Sequence, residues 1–487
     1  MAGGGGGGGG GELQLLGTWS SPWVIRVRVA LETKGLSYDY VEEDLSRKSD
    51  LLLKSNPLHK KVPVLIHGGQ PVCESLVILE YVDEAWAGAG PPLLPADPYD
   101  RAAARFWASY VNDTFFPSWK ALFRSTTTDQ RAEAFKNVVP QVETLERAFR
   151  ECSKGKAFFA GDAAGLVDVA LGSHLVWIKV VDEVAGTNLF DEAKFPGLAA
   201  WAERFLSLDA VKKAAPDAGE VLKQYEGFLA KWNEGAATPQ KILNNDLRIH
   251  ISAMAGLGAG GAAELRLLEE RVSPYCIRVK HAMAVKGVTG YECVEEDLEH
   301  KSELLLASNP VHKKVPVLIH NGAPVCESLV IVQYVDEVWA GAGPALLPSD
   351  PYERSRARFW ASYIDDKFFS SYLPFFTATT EEARAEKFKD VIPQVETLEE
   401  AFEECSKGKH FFGGDRIGFV DVALGGYLRL FKALDEVAGT RLLDAAKFPR
   451  LAAWAEHYEA VDAIRGASPA VADVVAFYKK MQAAASH

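Results

Sequence analysis

At 487 residues the chain exceeds what one hydrophobic core supports, and it predicts about three domains at about 150 residues each. Its 48% hydrophobic and 24% charged residues exclude a disordered or fibrous chain, and a net charge of -13 argues against nucleic acid or anionic membrane as partners. Six cysteines, Cys73, Cys152, Cys276, Cys293, Cys326 and Cys405, form no C-x-x-C pair and no dense disulfide pattern, which fits a reducing cytoplasm.

The chain opens on a glycine run through Gly11 that lacks the basic start and apolar stretch of a secretory signal, so a floppy tail is expected. Leu13 to Leu16 predicts a strand, Val24 to Lys34 a helix and Tyr38 to Val41 a second strand, a βαβ-like opening. Val64-Leu65-Ile66 and Gln70-Pro71-Val72-Cys73 read as a hairpin around His67-Gly68-Gly69, and a helix follows to about Trp86. From Pro98 to Trp232 the pattern turns to long amphipathic stretches, broken only by short segments such as Phe158-Phe159-Ala160-Gly161-Asp162, and predicts an all-helical half. No apolar run approaches the roughly 18 residues of a membrane span.

The chain then repeats itself. Ser55 to Glu80 reads SNPLHKKVPVLIHGGQPVCESLVILE, and Ser308 to Gln333 reads SNPVHKKVPVLIHNGAPVCESLVIVQ. The same displacement carries Phe106-Trp107-Ala108-Ser109-Tyr110 onto Phe359-Trp360-Ala361-Ser362-Tyr363. So long a period exceeds any solenoid repeat and marks duplication of a whole folding unit. Met254-Ala255-Gly256 and a Gly/Ala stretch into Glu264-Leu265 mirror Met1-Ala2-Gly3 and its glycines into Glu12-Leu13, like a second start buried mid-chain. Asn233 to Ala253 is polar and turn-rich apart from Ile249-His250-Ile251, and reads as linker. The expected layout is a tail over 1–11, an α/β domain over 12–90 and a helical domain over 98–232. A linker over 233–263 leads to a second such pair over 264–343 and 351–487.

Some positions carry chemistry. Ser21-Pro22 falls where the first strand gives way to the first helix, an arrangement that capping alone explains in most proteins. A hydroxyl at the positive end of a helix also stabilises a bound thiolate. Val62-Pro63, at the entry to a strand, matches a cis-proline turn that leaves backbone to pair with an extended peptide, and equally an edge-strand proline. Glu74-Ser75 precedes a helix, where the hydroxyl and free N–H groups suit a carboxylate and Glu74 an ammonium; capping also explains Ser75. Lys48 and Lys61 suit a second carboxylate or are solvated charges. Together these groups ask for a short peptide with a thiol, an α-amino acid end and a second carboxylate, all of which glutathione has.

Trp19-Ser20-Ser21-Pro22, Glu42-Glu43-Asp44-Leu45, the run Asn56-Pro57-Leu58-His59-Lys60-Lys61-Val62-Pro63-Val64-Leu65-Ile66-His67 and Glu74-Ser75 resemble tau-class glutathione transferases of plants. Phe158-Phe159-Ala160-Gly161-Asp162 and Val167-Asp168-Val169-Ala170 extend the likeness, which covers nearly all of both copies. The resemblance implies an α/β plus all-α fold, with a thioredoxin-like N-terminal domain and a helical C-terminal domain, the pair repeated twice. It implies glutathione as substrate, no metal, and a serine that stabilises the thiolate for attack on hydrophobic electrophiles or peroxides. Carried over, the catalytic role falls on Ser21, glutathione binding on Lys48, Lys61, Val62, Glu74 and Ser75, and the electrophile pocket on Trp19, Phe116, Lys120 and Phe123. Gly165 replaces the hydroxyl residue of a capping box ahead of Asp168, which reads as structural.

The second copy keeps Ser273, Lys301, Lys314, Val315, Glu327 and Ser328, but Glu269-Glu270-Arg271 stands where the first has Gly17-Thr18-Trp19. That change removes the pocket tryptophan and brings two carboxylates toward the sulfur, where like charge opposes ionisation, so the first copy is expected to be the more active. Two other readings compete. One is a non-catalytic carrier of apolar ligands. The other is glutathione-dependent thiol transfer, suggested by Ser273-Pro274-Tyr275-Cys276, although serine at the nucleophilic position forms no mixed disulfide. The resemblance to dimeric proteins implies that the two copies pair within one chain. Trp232 and Glu264 are 32 residue steps apart, a link with a flexible span of about 30 Å and a reach of about 100 Å.

Overall fold

Leu13, Leu15 and Leu16 become the centre of a four-stranded mixed sheet, and Leu15 and Leu16 are wholly excluded from solvent. In the computed structural model, which describes residues 13–235 and 265–485, β1 (Leu13–Gly17) leads into α1 (Pro22–Thr33) and β2 (Asp39–Glu42). After α2 (Asp50–Ser55) come the hairpin strands β3 (Val64–His67) and β4 (Gln70–Cys73), and then α3 (Ser75–Ala85). The strand order is β2-β1-β3-β4, parallel between β1 and β2 and antiparallel elsewhere. The βαβ opening and the hairpin are thus as the apolar periodicity predicts. Val24, Ile25, Val27, Val29, Ala30 and Leu31 of α1 are all buried. They cover most of its circumference, leaving only a stripe with Arg28 and Glu32, because α1 packs against α3 on one side and against helices of the other half on the other.

The helical half contains α4 (Pro98–Tyr110), α5 (Phe116–Arg124), α6 (Thr128–Ser153), α7 (Leu166–Gly172), α8 (Leu175–Ala185), α9 (Pro196–Ser207), α10 (Asp209–Ala214) and α11 (Ala218–Gly235). Asp97 caps α4 through the Tyr99 and Asp100 N–H groups, and a Thr127–Gln130 capping box opens α6. Between α4 and α5 the chain widens into a π-helical stretch, Val111–Phe115, a geometry frequent at functional sites. α11 continues past Trp232, where the sequence pattern ends the helical half, through Gly235. The glycine tail, the rest of the predicted linker, the Ile249-His250-Ile251 patch and the Met254 stretch lie outside the described residues.

The chain divides into two units, Met1–Ile249 and His250–His487. The second builds the same sheet, in order β6-β5-β7-β8, from β5 (Leu265–Glu269), β6 (Glu292–Glu295), β7 (Val317–His320) and β8 (Ala323–Cys326). Pro274–Val285 is the counterpart of α1, and helices between Pro351 and Ala485 repeat the helical half. In each unit a buried lysine joins the end of the first helix to the third: Lys34 to Asp83 at 2.8 Å and Lys286 to Asp336 at 3.0 Å. Asp83 also accepts from the Leu93 and Leu94 N–H groups, which fixes the chain as it leaves for the helical half.

Asp168 is structural, as its sequence context suggests. Its carboxylate accepts from the Phe159, Ala160 and Gly165 N–H groups and from the Trp201 indole at 2.7–3.3 Å, tying the 158–162 turn, α7 and α9 together. Burial pushes its carboxyl up to about 6 against the pull of those donors. Asp421 makes the matching set with Phe412, Gly413, Gly418 and Trp454. Asp168→Ala should strand four buried donors and destabilise the first unit by about 3 kcal/mol or more. Hydrogen exchange under mild urea should show protection lost in α7 and α9 while helices of the second unit keep theirs; equal loss in both units would contradict a local role.

Candidate functional site

Ser21 occupies the N-cap position of α1 with extended backbone (φ -69°, ψ 122°), yet its side chain makes no capping hydrogen bond. The cap explanation of this serine therefore fails, and Ser21 lines a cavity of about 1080 Å³ in the first unit. Lys48, Lys61, Val62, Glu74, Ser75, Trp19, Phe116, Lys120 and Phe123 line the same cavity, so the fold brings every site residue expected in the first copy to one place.

One side of the cavity suits a zwitterionic peptide. The Val62-Pro63 peptide is cis. Lys60 (φ 53°) and Glu74 (φ 69°), both lining the cavity, hold left-handed backbone that side-chain-bearing residues seldom adopt, a strain of order 1–3 kcal/mol each that surrounding structure must sustain. Glu74 meets His59 Nδ1 at 2.7 Å, a partner the sequence reading did not foresee. Ser75 is buried, and its Oγ accepts from Arg26 Nη1 at 3.2 Å, which leaves the hydroxyl proton to donate onward. Lys48 and Lys61 are exposed at the rim.

The other side is aromatic. Trp119, Trp177, Phe228 and Trp232 join Phe116 and Phe123 along it, with Trp177 stacked on Phe228 at 12° and Phe123 edge-on to Trp177 at 5.4 Å. These additions come from α5, α8 and α11, far apart in sequence, and no local motif marks them. Lys120 stands on this wall with its ammonium pKa lowered by burial and by the neighbouring charges of Arg124 and Lys61.

Arg26 lies behind the peptide side, fully buried, bonded to Ser75, to Asn112 Oδ1 at 3.0 Å and to the Ala170 carbonyl at 3.1 Å. Its direct partners are neutral, and burial lowers its pKa to about 9 while Asp113 opposes the shift. In the second unit Arg278 grips Asp365 with two bonds of 2.7 and 2.8 Å. Burial lowers that guanidinium's pKa, but Asp365, with Tyr427 and Tyr275, more than reverses the effect.

The second unit reproduces the peptide side in outline. Ser273 has the same uncapping cap geometry, Val315-Pro316 is cis, Glu327 has φ 68° and Ser328 is buried. Lys301 and Lys314 are exposed, and Glu327 lies 3.9 Å from His312. The two carboxylates expected beside the sulfur behave differently from each other. Glu269 is buried in an ion pair with Lys280 at 3.1 Å, and only Glu270 stays unneutralised by a lysine, half-buried, accepting from the Val272 N–H with its pKa raised by burial. The physical reason is a coupled set of substitutions. A Cβ on Gly17 would sit 2.5 Å from Val24 and 3.2 Å from Tyr40, but at the corresponding positions the second unit has Cys276 and Cys293, which leave room for Glu269. Arg271 meets Asp473 at 3.7 Å rather than Glu270. Cys276 is completely buried and burial pushes its thiol up to about 12, so it is neither accessible nor ionised for thiol transfer.

The family model described as glutathione S-transferase, N-terminal domain, matches residues 11–84 and again 263–337, and models of the C-terminal domain match 128–204 and 359–462. A probable glutathione S-transferase, GSTU6, of rice is 54% identical over 230 residues, 46% of this chain and 98% of the rice protein. The crystal structure of a tau-class glutathione S-transferase from mango is 43% identical, covering 45% of this chain and 98% of that one, with a TM-score of 0.43. A rice enzyme solved in complex with glutathione is 40% identical, covering 45% and 97%, with a TM-score of 0.42. The chain belongs to the tau class of the glutathione transferase family and carries that family's two-domain unit twice in tandem.

Proposed function

We propose that the first unit conjugates glutathione to hydrophobic electrophiles through a thiolate held by Ser21. The observation that carries this reading is a serine at a helix N-terminus whose side chain makes no cap bond and which lines a cavity with a polar side and an aromatic side. The ligand's α-carboxylate would accept from Ser75 and from the N–H groups of α3, its ammonium would face Glu74, its backbone would pair beside Val62, and its other carboxylate would reach Lys48 and Lys61. The thiol proton leaves to solvent, and the Ser21 hydroxyl together with the positive end of α1 stabilises the sulfur anion. Sulfur then attacks the electrophilic carbon, a C–S bond forms, and the leaving group departs with its electron pair. The same thiolate can attack a peroxide oxygen: the O–O bond breaks, the remainder leaves as an alcohol after taking a proton, and the resulting sulfenic acid loses water when a second glutathione thiol attacks its sulfur to complete the disulfide.

The first unit is the more active in this reading. It keeps Trp19 where the second has Arg271, and it has no counterpart to the half-buried Glu270. The free cysteines among the described residues support a cytoplasmic setting, and no described helix is long and apolar enough to cross a membrane.

The purified chain should conjugate glutathione to a chloronitrobenzene, and Ser21→Ala should cut turnover by roughly 10²-fold, the scale of losing one donor to a developing anion. Ser273→Ala should remove less than half of the total. Retention on immobilised glutathione without any turnover would favour a carrier, and full turnover in Ser21→Ala would remove Ser21 from the sulfur.

Glu74→Ala should raise the glutathione KM more than it lowers kcat, because the carboxylate is assigned to the ammonium. A fall in kcat at unchanged KM would contradict that assignment.

Tethering raises the effective concentration of one unit near the other to about millimolar, which favours pairing within the chain. Light scattering should then give 53.1 kDa. A concentration-independent mass near twice that value would mean that units pair between chains.

A further inference from the structure

We infer that Trp177 is a positioning residue for conjugation in the first unit: its indole N–H fixes the peptide group that carries Ser21. The inference rests on Ser21 being the hydroxyl at the sulfur. Trp177 Nε1 donates to the Ser20 carbonyl at 2.6 Å, and both residues are buried. That carbonyl and the Ser21 N–H belong to one rigid, planar peptide group. The N–H end donates to the Thr18 carbonyl at 3.1 Å, so the group is held from both ends. On the other side, the Pro22 ring confines Ser21 to the extended backbone it adopts. The main freedom left to the hydroxyl is rotation of its own side chain.

The indole is itself held in place. It lies parallel to Phe228 and edge-on to Phe123, so its N–H direction is set by the aromatic wall of α5, α8 and α11. The wall that would receive the electrophile is thereby linked to the loop that would hold the nucleophile.

The second unit provides an internal comparison. Ser273 keeps the bond from its N–H to the Glu270 carbonyl at 2.9 Å and a similar backbone (φ -64°, ψ 125°). Leu430 stands where the first unit has Trp177, and leucine has no side-chain donor. The strand–helix loop there meets the last helix through Arg271 and Asp473 at 3.7 Å, a solvent-exposed pair of the kind that contributes little.

Two replacements in the full-length chain test this. Trp177→Phe keeps an aromatic ring, and site-specific benzothienylalanine at 177 keeps the bicyclic shape while exchanging the N–H for sulfur. With glutathione and a chloronitrobenzene, each should lower kcat about tenfold, the scale of a small misplacement of a reacting group. The glutathione KM should stay within about twofold, and the acid limb of the pH–kcat profile should move to higher pH as the thiolate loses a well-aimed donor. Should Trp177→Phe fail to fold, the benzothienylalanine chain decides alone. Unchanged kcat and pH profile in that chain would overturn the inference, as would a loss of thermal stability with kcat and KM changing in step and no pH shift. If Ser21→Ala itself leaves turnover intact, the underlying assignment fails first and is distinguished by that result.

Discussion

The first unit depends on one buried cation. Arg26 sits inside a largely buried helix, and its guanidinium reaches three separate places: Ser75 at the start of α3, Asn112 in the π-helical stretch and the Ala170 carbonyl in α7. It thereby joins the sheet-bearing half to the helical half at the level of the cavity. Burying such a charge is costly, and these partners satisfy Nη1 and Nη2 while Nε is buried without one. The widened π-helical turn places Asn112 at Arg26 and starts α5 with Phe116 at the cavity.

The same position is solved differently in the two units. Asn112 leaves Arg26 with neutral direct partners, whereas Asp365 gives Arg278 a bidentate carboxylate, and Tyr275 and Tyr427 place their rings 5.2 Å from it. Duplicated units with the same backbone therefore present different fields behind the same serine. Similar coupling governs the end of the first strand, where Gly17, Val24 and Tyr40 change together into Glu269, Cys276 and Cys293, with Lys280 neutralising the new carboxylate. A substitution that would clash alone is accommodated by neighbours that shrink, and its charge meets a cation at a position that is basic in both units, Arg28 in the first and Lys280 in the second.

The cavity also gathers backbone strain. Lys60 and Glu74 hold positive φ in the first unit, and Lys313 and Glu327 do so in the second. A turn that aims Glu74 inward and starts a helix at the next residue needs this conformation, and the buried Ser75 and the His59 contact help to hold it.

Local signals in the sequence determined a good deal. Short apolar runs between turn residues set the strands and the 3.6-residue periodicity set the helices, because each depends only on neighbours in the chain, and the long internal repeat set the duplication because it is read by comparing the sequence with itself. Ser21, Val62, Glu74 and Ser75 were legible for the same reason: turns and helix starts have short-range signatures. The tertiary structure alone decided what those residues meet. Trp177, Phe228 and Trp232 come to the cavity from helices well separated in the chain from Ser21, and at each of those positions an aromatic residue reads as core. Which groups meet the Arg26 guanidinium, and which carbonyl the Trp177 indole meets, depend on partners distant in sequence, and only packing brings those partners within hydrogen-bonding distance.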